Sequence, residues 1–297
     1  MGFEVLAIAA ELRCEGVHLH ADPDTGLRSI VALHSTVLGP GLGGTRFRPY
    51  PDEREAVLDA CRLAKGMTYK HAVCGTYQGG GKAVIIGDPL TLRTDKLIRA
   101  YARFVDSLGG RYITAEDSGT TQADMDLVRT ITPYVTGISE SLGGSGDPSP
   151  ATAYGVFCAM QAVAERLWGD TDLSGRHVVV LGVGKVGGTL ARRLAYVGAR
   201  LTLSDVRADE AAALARELGA QVAGPDDAVT NECDILSPCA LGAVLSAESI
   251  PKLHCDAVCG AANNQLADDA DAERLAGHGV LYAPDYVVNA GGVINIA

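Results

Sequence analysis

The amino-acid sequence predicts a two-domain α/β protein, and three observations lead to that expectation. The chain has 297 residues, about two domains by ordinary domain size. From about residue 175 onward, short apolar runs alternate with helical patterns in the order strand, helix, strand, as a parallel sheet requires. Ahead of that region lies SLGGSGDPSPAT (141–152), whose Gly, Ser and Pro content suits a linker or hinge after a differently textured first half. The expected domains are therefore residues 1–140 and 141–297.

Composition narrows the function classes. Hydrophobic residues make up 47% and charged residues 21% of the chain, the balance of a folded globular protein. Lys and Arg number 25 against 36 Asp and Glu, a net charge of −11 with no basic block, which argues against nucleic acid or an anionic membrane as partner. No stretch reaches the roughly 18 apolar residues of a membrane span. The opening MGFEVLAIAAELRCEG carries Glu4 and no basic flank, so it does not read as a signal peptide. The eight cysteines include no CxxC pair, and with seven histidines they form no zinc-ligand spacing. Free thiols, no metal and a cytoplasmic protein are the expectations.

In the C-terminal half, His177-Val178-Val179-Val180-Leu181 is a continuous apolar run, the pattern of a strand covered on both faces. It leads directly into Gly182-Val183-Gly184-Lys185-Val186-Gly187, a G-x-G-x-x-G sequence, after which Val186, Leu190, Leu194 and Val197 recur at helical spacing. In such a turn the first glycine permits the tight bend, the second lets a pyrophosphate approach the backbone, and the third allows helix and strand to pack closely. The phosphates then sit at the positive end of the helix. The next apolar run ends at Asp205, 18 residues after Gly187. A carboxylate there accepts hydrogen bonds from the ribose hydroxyls and repels a 2′-phosphate, which favours NAD over NADP. Arg207 follows closely and reads as a solvated arginine, the alternative being a 2′-phosphate contact.

In the N-terminal half, residues 28–33 and 83–86 read as strands and residues 56–64 as part of a helix continuing to Lys70. Pro150 followed by Val156, Met160 and Val163 marks the start of another helix. Two glycine clusters surround charged residues, GPGLGGTR (39–46) and GGGK (79–82). The second is not a phosphate-binding P-loop, since it lacks the G-x-x-x-x-G-K-[ST] spacing and has Ala83 where a hydroxyl must hold Mg²⁺. A lysine in a closed cleft near a second lysine has its pKa lowered by desolvation and like-charge repulsion, which makes it a usable general base. Lys82 and Lys70 are candidates for that pair, against the ordinary reading of both as surface lysines. In RYITAEDSGT (111–120), Glu116 and Asp117 lie between an apolar strand and a glycine turn, where α/β proteins place chemistry. The competing reading of Asp117 is a turn or helix-cap residue.

Taken together these motifs resemble the Glu/Leu/Phe/Val amino acid dehydrogenase family, most of all its bacterial leucine and valine dehydrogenase branch. The matching segments are LGPGLGGTRF (38–47), RLAKGMTYK (62–70), GGGKAVIIGDP (79–89), GRYITAED (110–117) and GDPSPATAYGV (146–156). They continue with GVGKVG (182–187), DILSPCALGA (234–243), CGAANNQL (259–266) and YAPDYVVNAGGVINIA (282–297). The resemblance implies an N-terminal α/β substrate and oligomerisation domain, a Rossmann-type NAD-binding domain, an active-site cleft between them, and a homo-oligomer, dimer or larger. It also implies an oxidoreductase of branched-chain amino acid metabolism that converts an L-amino acid to its 2-oxo acid and ammonia with hydride transfer to NAD. Carried over by motif, Lys82 and Asp117 are catalytic, and Lys70, Gly43 and Gly44 bind the substrate carboxylate. Leu42, Ala115, Val293 and Ile296 line the side-chain pocket, and their aliphatic character favours Leu, Val or Ile. Asn263 lies near the nicotinamide and the substrate, Asn289 is a further contact, and Gly182, Gly184, Lys185, Val186, Gly187 and Asp205 hold the cofactor. Family members carry a C-terminal helical tail beyond the last motif, and the expectation is of a chain without it. Smaller departures are His71, Tyr77-Gln78 and Ser118. The alternative expectation is a non-catalytic or repurposed member that binds NAD, or one acting on an unusual amino acid in a specialised pathway.

Overall fold

The computed structural model describes residues 4–240 and 242–296; Leu241 and Ala297, which fall inside two of the motif segments, lie outside them. The described chain forms two compact units, residues 4–148 with 293–296, and residues 149–292. The division falls at Pro148/Ser149 rather than at 140/141. Residues 149–152 are helical, with Pro150 in the first turn, where its missing N–H has no helical partner to lose. Residues 293–296, expected in the second domain, count with the first.

The first unit contains α1 (Val5–Glu11), β1 (Gly16–Asp22), β2 (Leu27–Ser35), β3 (Gly41–Arg48), α2 (Glu53–Cys74), β4 (Gly79–Ile86), α3 (Pro89–Leu92), α4 (Asp95–Ser107), β5 (Tyr112–Glu116) and α5 (Gln122–Arg129). Its sheet runs β1-β2-β4-β3-β5, antiparallel at β1/β2 and β2/β4 and parallel around β3. Successive strand residues face opposite sides, so Ile30 and Ala32 pack with Val84 under Ala56, Ala60 and Ala64 of α2. Val31, Leu33, Phe47 and Ile85 pack on the other side against Leu97, Tyr101, Val105 and Met125 of α4 and α5. α2 starts at Asp52, whose carboxylate accepts the Glu55 N–H at 2.8 Å, and stops at Gly75 at φ +66°.

Apart from Gly39 and Pro40, which precede β3, both glycine clusters lie in strands. Gly43 and Gly44 are in the middle of β3, and residues 79–81 open β4. Backbone crowding explains the sequence: a Cβ at Gly43 would stand 1.9 Å from the Gly81 carbonyl oxygen. One at Gly80 would stand 2.4 Å from the Ala64 carbonyl oxygen of α2. The glycines let α2, β3 and β4 approach one another.

The second unit contains α6 (Ser149–Trp168), β6 (His177–Leu181), α7 (Lys185–Tyr196), β7 (Arg200–Ser204), α8 (Ala208–Leu218), β8 (Gln221–Val222), α9 (Pro225–Val229) and β9 (Cys233–Pro238). It continues with β10 (Cys255–Val258), α10 (Asp271–Gly277), β11 (Leu281–Tyr282), α11 (Asp285–Val288) and α12 (Gly291–Ile296), the last four residues of α12 counting with the first unit. All six strands are parallel, in the order β11-β10-β9-β6-β7-β8. Val178, Val180 and Leu203 pack on one face with α6, α7 and α8, and Val179, Leu236 and Val258 on the other with Leu253 and Leu275. That is a doubly wound, Rossmann-type arrangement. Among the described residues, no helix is long and apolar enough to cross a membrane.

Candidate active site

In the first unit the site is built across β3. Thr45 lies opposite Ala83 of β4 and Glu116 of β5. By the same register, Gly44 is level with Lys82 and Arg46 with Asp117. Strand alternation puts Leu42, Gly44, Arg46, Lys82 and Ala115 on the face covered by α2. With no side chain at Gly44, the Lys82 ammonium crosses β3 and pairs with Asp117 Oδ2.

Several contacts locate Asp117. The Phe47 N–H donates to the Ser118 carbonyl at 2.8 Å, and the Thr120 hydroxyl donates to the Thr45 carbonyl at 2.9 Å. The Asp117 N–H donates to Thr120 Oγ1 at 3.0 Å. Gly119, at φ +85°, brings the loop against β3, where a Cβ would stand 1.8 Å from the Phe47 carbonyl oxygen. The helix cap is Thr121, in a reciprocal capping box with Asp124, so capping does not account for Asp117.

Lys82 is only 4% exposed. Burial pushes its pKa down, the Asp117 carboxylate opposes that, and the Arg46 guanidinium pushes it down again. Arg46 is thus a cation that acts on Lys82, one to which the sequence reading gave no role. Burial alone would raise the Asp117 pKa, but Lys82 and Arg46 outweigh it and hold the carboxyl well below the usual carboxylate range. Asp117 is therefore held as a carboxylate, beside a lysine that loses its proton more readily than an ordinary one.

Lys70 is buried on α2, whose last turn is anchored to β3 by His71. The His71 ring places Nε2 3.3 Å from the Leu42 carbonyl and Nδ1 2.6 Å from the Thr76 hydroxyl. Burial lowers the His71 pKa to about 4, so at neutral pH the ring is neutral, with Nε2–H donating to Leu42 and Nδ1 accepting from Thr76. Leu42 and Ala115 are buried on adjacent strands. The end of α12 is tied to β5, since the Thr136 hydroxyl donates to the Ile296 carbonyl at 2.9 Å while the Thr136 N–H donates to the Thr114 carbonyl at 2.8 Å. Val293 is buried and Ile296 half-buried in that segment.

Sequence reasoning gave no role to three residues of this cluster. Arg46 Nη1 donates to Asp59 Oδ1 at 3.2 Å and to Oδ2 at 3.0 Å, and its Nε lies 3.6 Å from Asp117 Oδ2. The Tyr50 hydroxyl donates to Asp59 Oδ2 at 2.6 Å. A signal was present in period: Arg46 is two residues from Gly44 on a strand, and Asp59 is 11 residues from Lys70 on a helix, about three turns, hence one face.

In the second unit, Gly182 bends at φ +100°, and a Cβ at Gly187 would stand 1.9 Å from the Gly182 carbonyl oxygen. Beside Gly184 the space is open, and Lys185 and Val186 begin α7 there. Asp205 is fixed at the end of β7: Oδ2 accepts the Val183 N–H and Oδ1 the Arg207 N–H, each at 2.9 Å. The Arg207 side chain is exposed and pairs with Asp205 at 3.4 Å and Glu210 at 2.6 Å. Asn289 is buried, and its Nδ2 donates to the Ala261 carbonyl at 2.9 Å and to Asn263 Oδ1 at 2.8 Å. Asn263 itself is exposed. An open approach at a helix N-terminus, a glycine-tight turn and a pinned carboxylate on the next strand fit a nicotinamide dinucleotide.

Residues 13–134 match the family model described as Glu/Leu/Phe/Val dehydrogenase, dimerisation domain, and residues 143–223 and 214–297 match that of Glutamate/Leucine/Phenylalanine/Valine dehydrogenase. A leucine dehydrogenase of Geobacillus stearothermophilus is 50% identical over 276 residues, 93% of this chain and 75% of that enzyme. A valine dehydrogenase of Streptomyces albus is 52% identical over 286 residues, 95% of this chain and 79% of that enzyme. Among solved structures, the L-tryptophan dehydrogenase of Nostoc punctiforme aligns with a TM-score of 0.77 at 41% identity, covering 98% of this chain and 83% of that one. The hetero-hexameric glutamate dehydrogenase of Thermus thermophilus, in its Leu bound form, aligns with a TM-score of 0.80 at 25% identity, covering 95% of this chain and 74% of that one.

Proposed function

The chain belongs to the Glu/Leu/Phe/Val dehydrogenase family, and from that premise we propose that it catalyses the reversible, NAD-dependent oxidative deamination of a branched-chain aliphatic L-amino acid to its 2-oxo acid and ammonia. The observation that carries this reading is the buried Lys82–Asp117 pair facing across Gly44, beside the aliphatic Leu42 and Ala115.

The bound nicotinamide supplies the hydride acceptor for the substrate Cα. The protein supplies proton transfer and charge. Lys70 holds the substrate carboxylate, and Asp117 takes a proton from the α-ammonium, freeing the nitrogen lone pair that expels the hydride. Neutral Lys82 then takes a proton from the water whose oxygen adds to the imino carbon. Asp117 returns its proton to the adduct nitrogen, the C–N bond breaks to release ammonia, and the hydroxyl proton passes to the Asp117 carboxylate as the carbonyl forms. A glutamate side chain would put a carboxylate against Leu42 and Ala115 with no cation to meet it. Val, Leu and Ile differ by only about 1–3 kcal/mol per methylene in such a pocket. The proposed working form is a cytoplasmic homo-oligomer, a reading supported by the dimerisation-domain description of the matched first region.

Water activation requires Lys82 without its proton, so the oxidative rate should rise with pH. Because burial and Arg46 lower the Lys82 pKa, that limb should level off below the ordinary lysine range. Amination in reverse uses protonated Lys82 as acid and should fall across the same limb. NADH absorbance with Val, Leu and Ile, followed from neutral to alkaline pH, checks both signs. No turnover with any of the three would reject the proposed function.

NAD is proposed over NADP because Asp205 carries its charge where a 2′-phosphate would lie, and Arg207 is engaged with Asp205 and Glu210. Asp205→Asn, which removes the charge and replaces one of the two accepting oxygens with an NH2 group, should reduce the preference for NAD about tenfold, near 1.4 kcal/mol. Parallel fluorescence titrations with NADH and NADPH measure it, and an unchanged ratio would assign selectivity elsewhere.

A further inference from the structure

We propose that Arg46, clamped between Asp59 and Asp117, is the positioning residue of the Lys82–Asp117 pair, fixing the carboxylate and setting how readily Lys82 gives up its proton. The proposal rests on the catalytic reading above.

The geometry is a chain of contacts across three elements. Tyr50 donates to Asp59 on α2, and Asp59 accepts Arg46 Nη1 through both oxygens. Arg46 on β3 turns its Nε toward Asp117 Oδ2, the oxygen that also meets Lys82 from β4. The side chains of Arg46 and Asp59 are only 16% and 23% exposed. Burying charges this far costs desolvation that surface pairs avoid, so the cluster is poor evidence for stability and better evidence for fixed geometry. A guanidinium is planar and offers several N–H groups in a rigid fork, so one side chain can hold two carboxylates in set positions.

The chemistry explains the need for a second cation. Lys82 must be neutral for the oxidative direction, and until Asp117 takes the substrate proton it is then a carboxylate without that counter-charge. Arginine does not titrate in this range, so Arg46 holds the ionised Asp117 in place until it receives that proton. Asp59 compensates Arg46 and moderates its effect on Lys82. Among the described residues, the charged groups that act on Lys82 include Asp117 after β5, Arg46 on β3 and Asp59 on α2. Of these, Arg46 favours the neutral amine, while Asp117 and Asp59 favour the ammonium.

The opposite signs make the test. Arg46→Gln should move the Lys82 titration to higher pH, and Asp59→Asn to lower pH, each by roughly one unit. Arg46→Lys keeps the charge but not the fork. It should leave the titration near its parental position while kcat falls about tenfold through misplacement of Asp117. Two readouts are taken on the full chain. Trace acetylation by acetic anhydride across pH, read by mass spectrometry of the Lys82 peptide, gives the lysine titration without any turnover. The kcat–pH profile gives its catalytic consequence. Shifts of opposite sign in the two neutralising variants support the proposal, and shifts of the same sign, or none, overturn it. If the parent turns over no branched-chain amino acid, the function reading fails while the labelling still decides what Arg46 does to Lys82. Should Arg46→Gln not fold by circular dichroism, a downward shift in Asp59→Asn together with an unshifted titration and lowered kcat in Arg46→Lys supports the proposal, and any other pattern overturns it.

Discussion

Lys82→Ala is expected to lower kcat by about 10³–10⁴-fold. Dinucleotide affinity should stay nearly unchanged, because the glycine turn and Asp205 belong to a different compact unit from Lys82. The loss has two parts. Water at the imino carbon has no base, and Asp117 loses the partner that crosses β3 to meet it. Arg46 remains beside Asp117, so the carboxylate should stay ionised and the variant should fold. A small primary amine added to the assay should restore part of the rate by occupying the space the side chain leaves. NADH formation gives kcat and fluorescence quenching gives the dinucleotide Kd. Near-parental kcat in Lys82→Ala would remove this lysine from the mechanism.

Gly44→Ala is expected to damage catalysis without removing a charged group. The added Cβ would stand 2.5 Å from the Glu116 carbonyl oxygen and 2.8 Å from Asp117 Cβ. Relief requires β3 and β5 to separate where Asp117 leaves the sheet, because neither contact is the far end of a flexible side chain. A displacement near 1 Å costs on the order of 10²-fold in kcat/KM, and overpacking costs about 1–3 kcal/mol of stability. Thermal unfolding beside kinetics separates the two effects. A well-folded Gly44→Ala with parental kcat/KM would show that the spacing across β3 does not govern the site.

These expectations draw on different levels of the molecule. The doubly wound second unit was legible because its signals are local: an apolar strand, three glycines with distinct geometric duties, a helical period and a carboxylate follow one another within residues 177–205. Lys70, Lys82 and Asp117 could be proposed from motif context, although composition and spacing left each with an ordinary alternative. Arg46 was visible within GPGLGGTR, in strand period with Gly44, but its partners, Asp59 on α2 and Asp117 beyond β5, are distant in sequence. Residues 79–81 are assigned no element from the sequence, because glycine is a weak strand former. They are strand because Ala64 and Thr68 of α2 press against Gly80, with a Cβ there 2.4 Å from the Ala64 carbonyl oxygen.

By itself, then, the sequence determined the fold class, the dinucleotide turn and the residue types able to do the chemistry, because turn geometry and periodicity act over a few neighbouring residues. Only the tertiary structure decided which of those residues meet. The register of β4, β3 and β5 joins positions 46, 82 and 117, and no periodicity encodes that alignment. The parallel strands are linked through long crossovers whose packing, rather than their sequence spacing, sets which residues face one another.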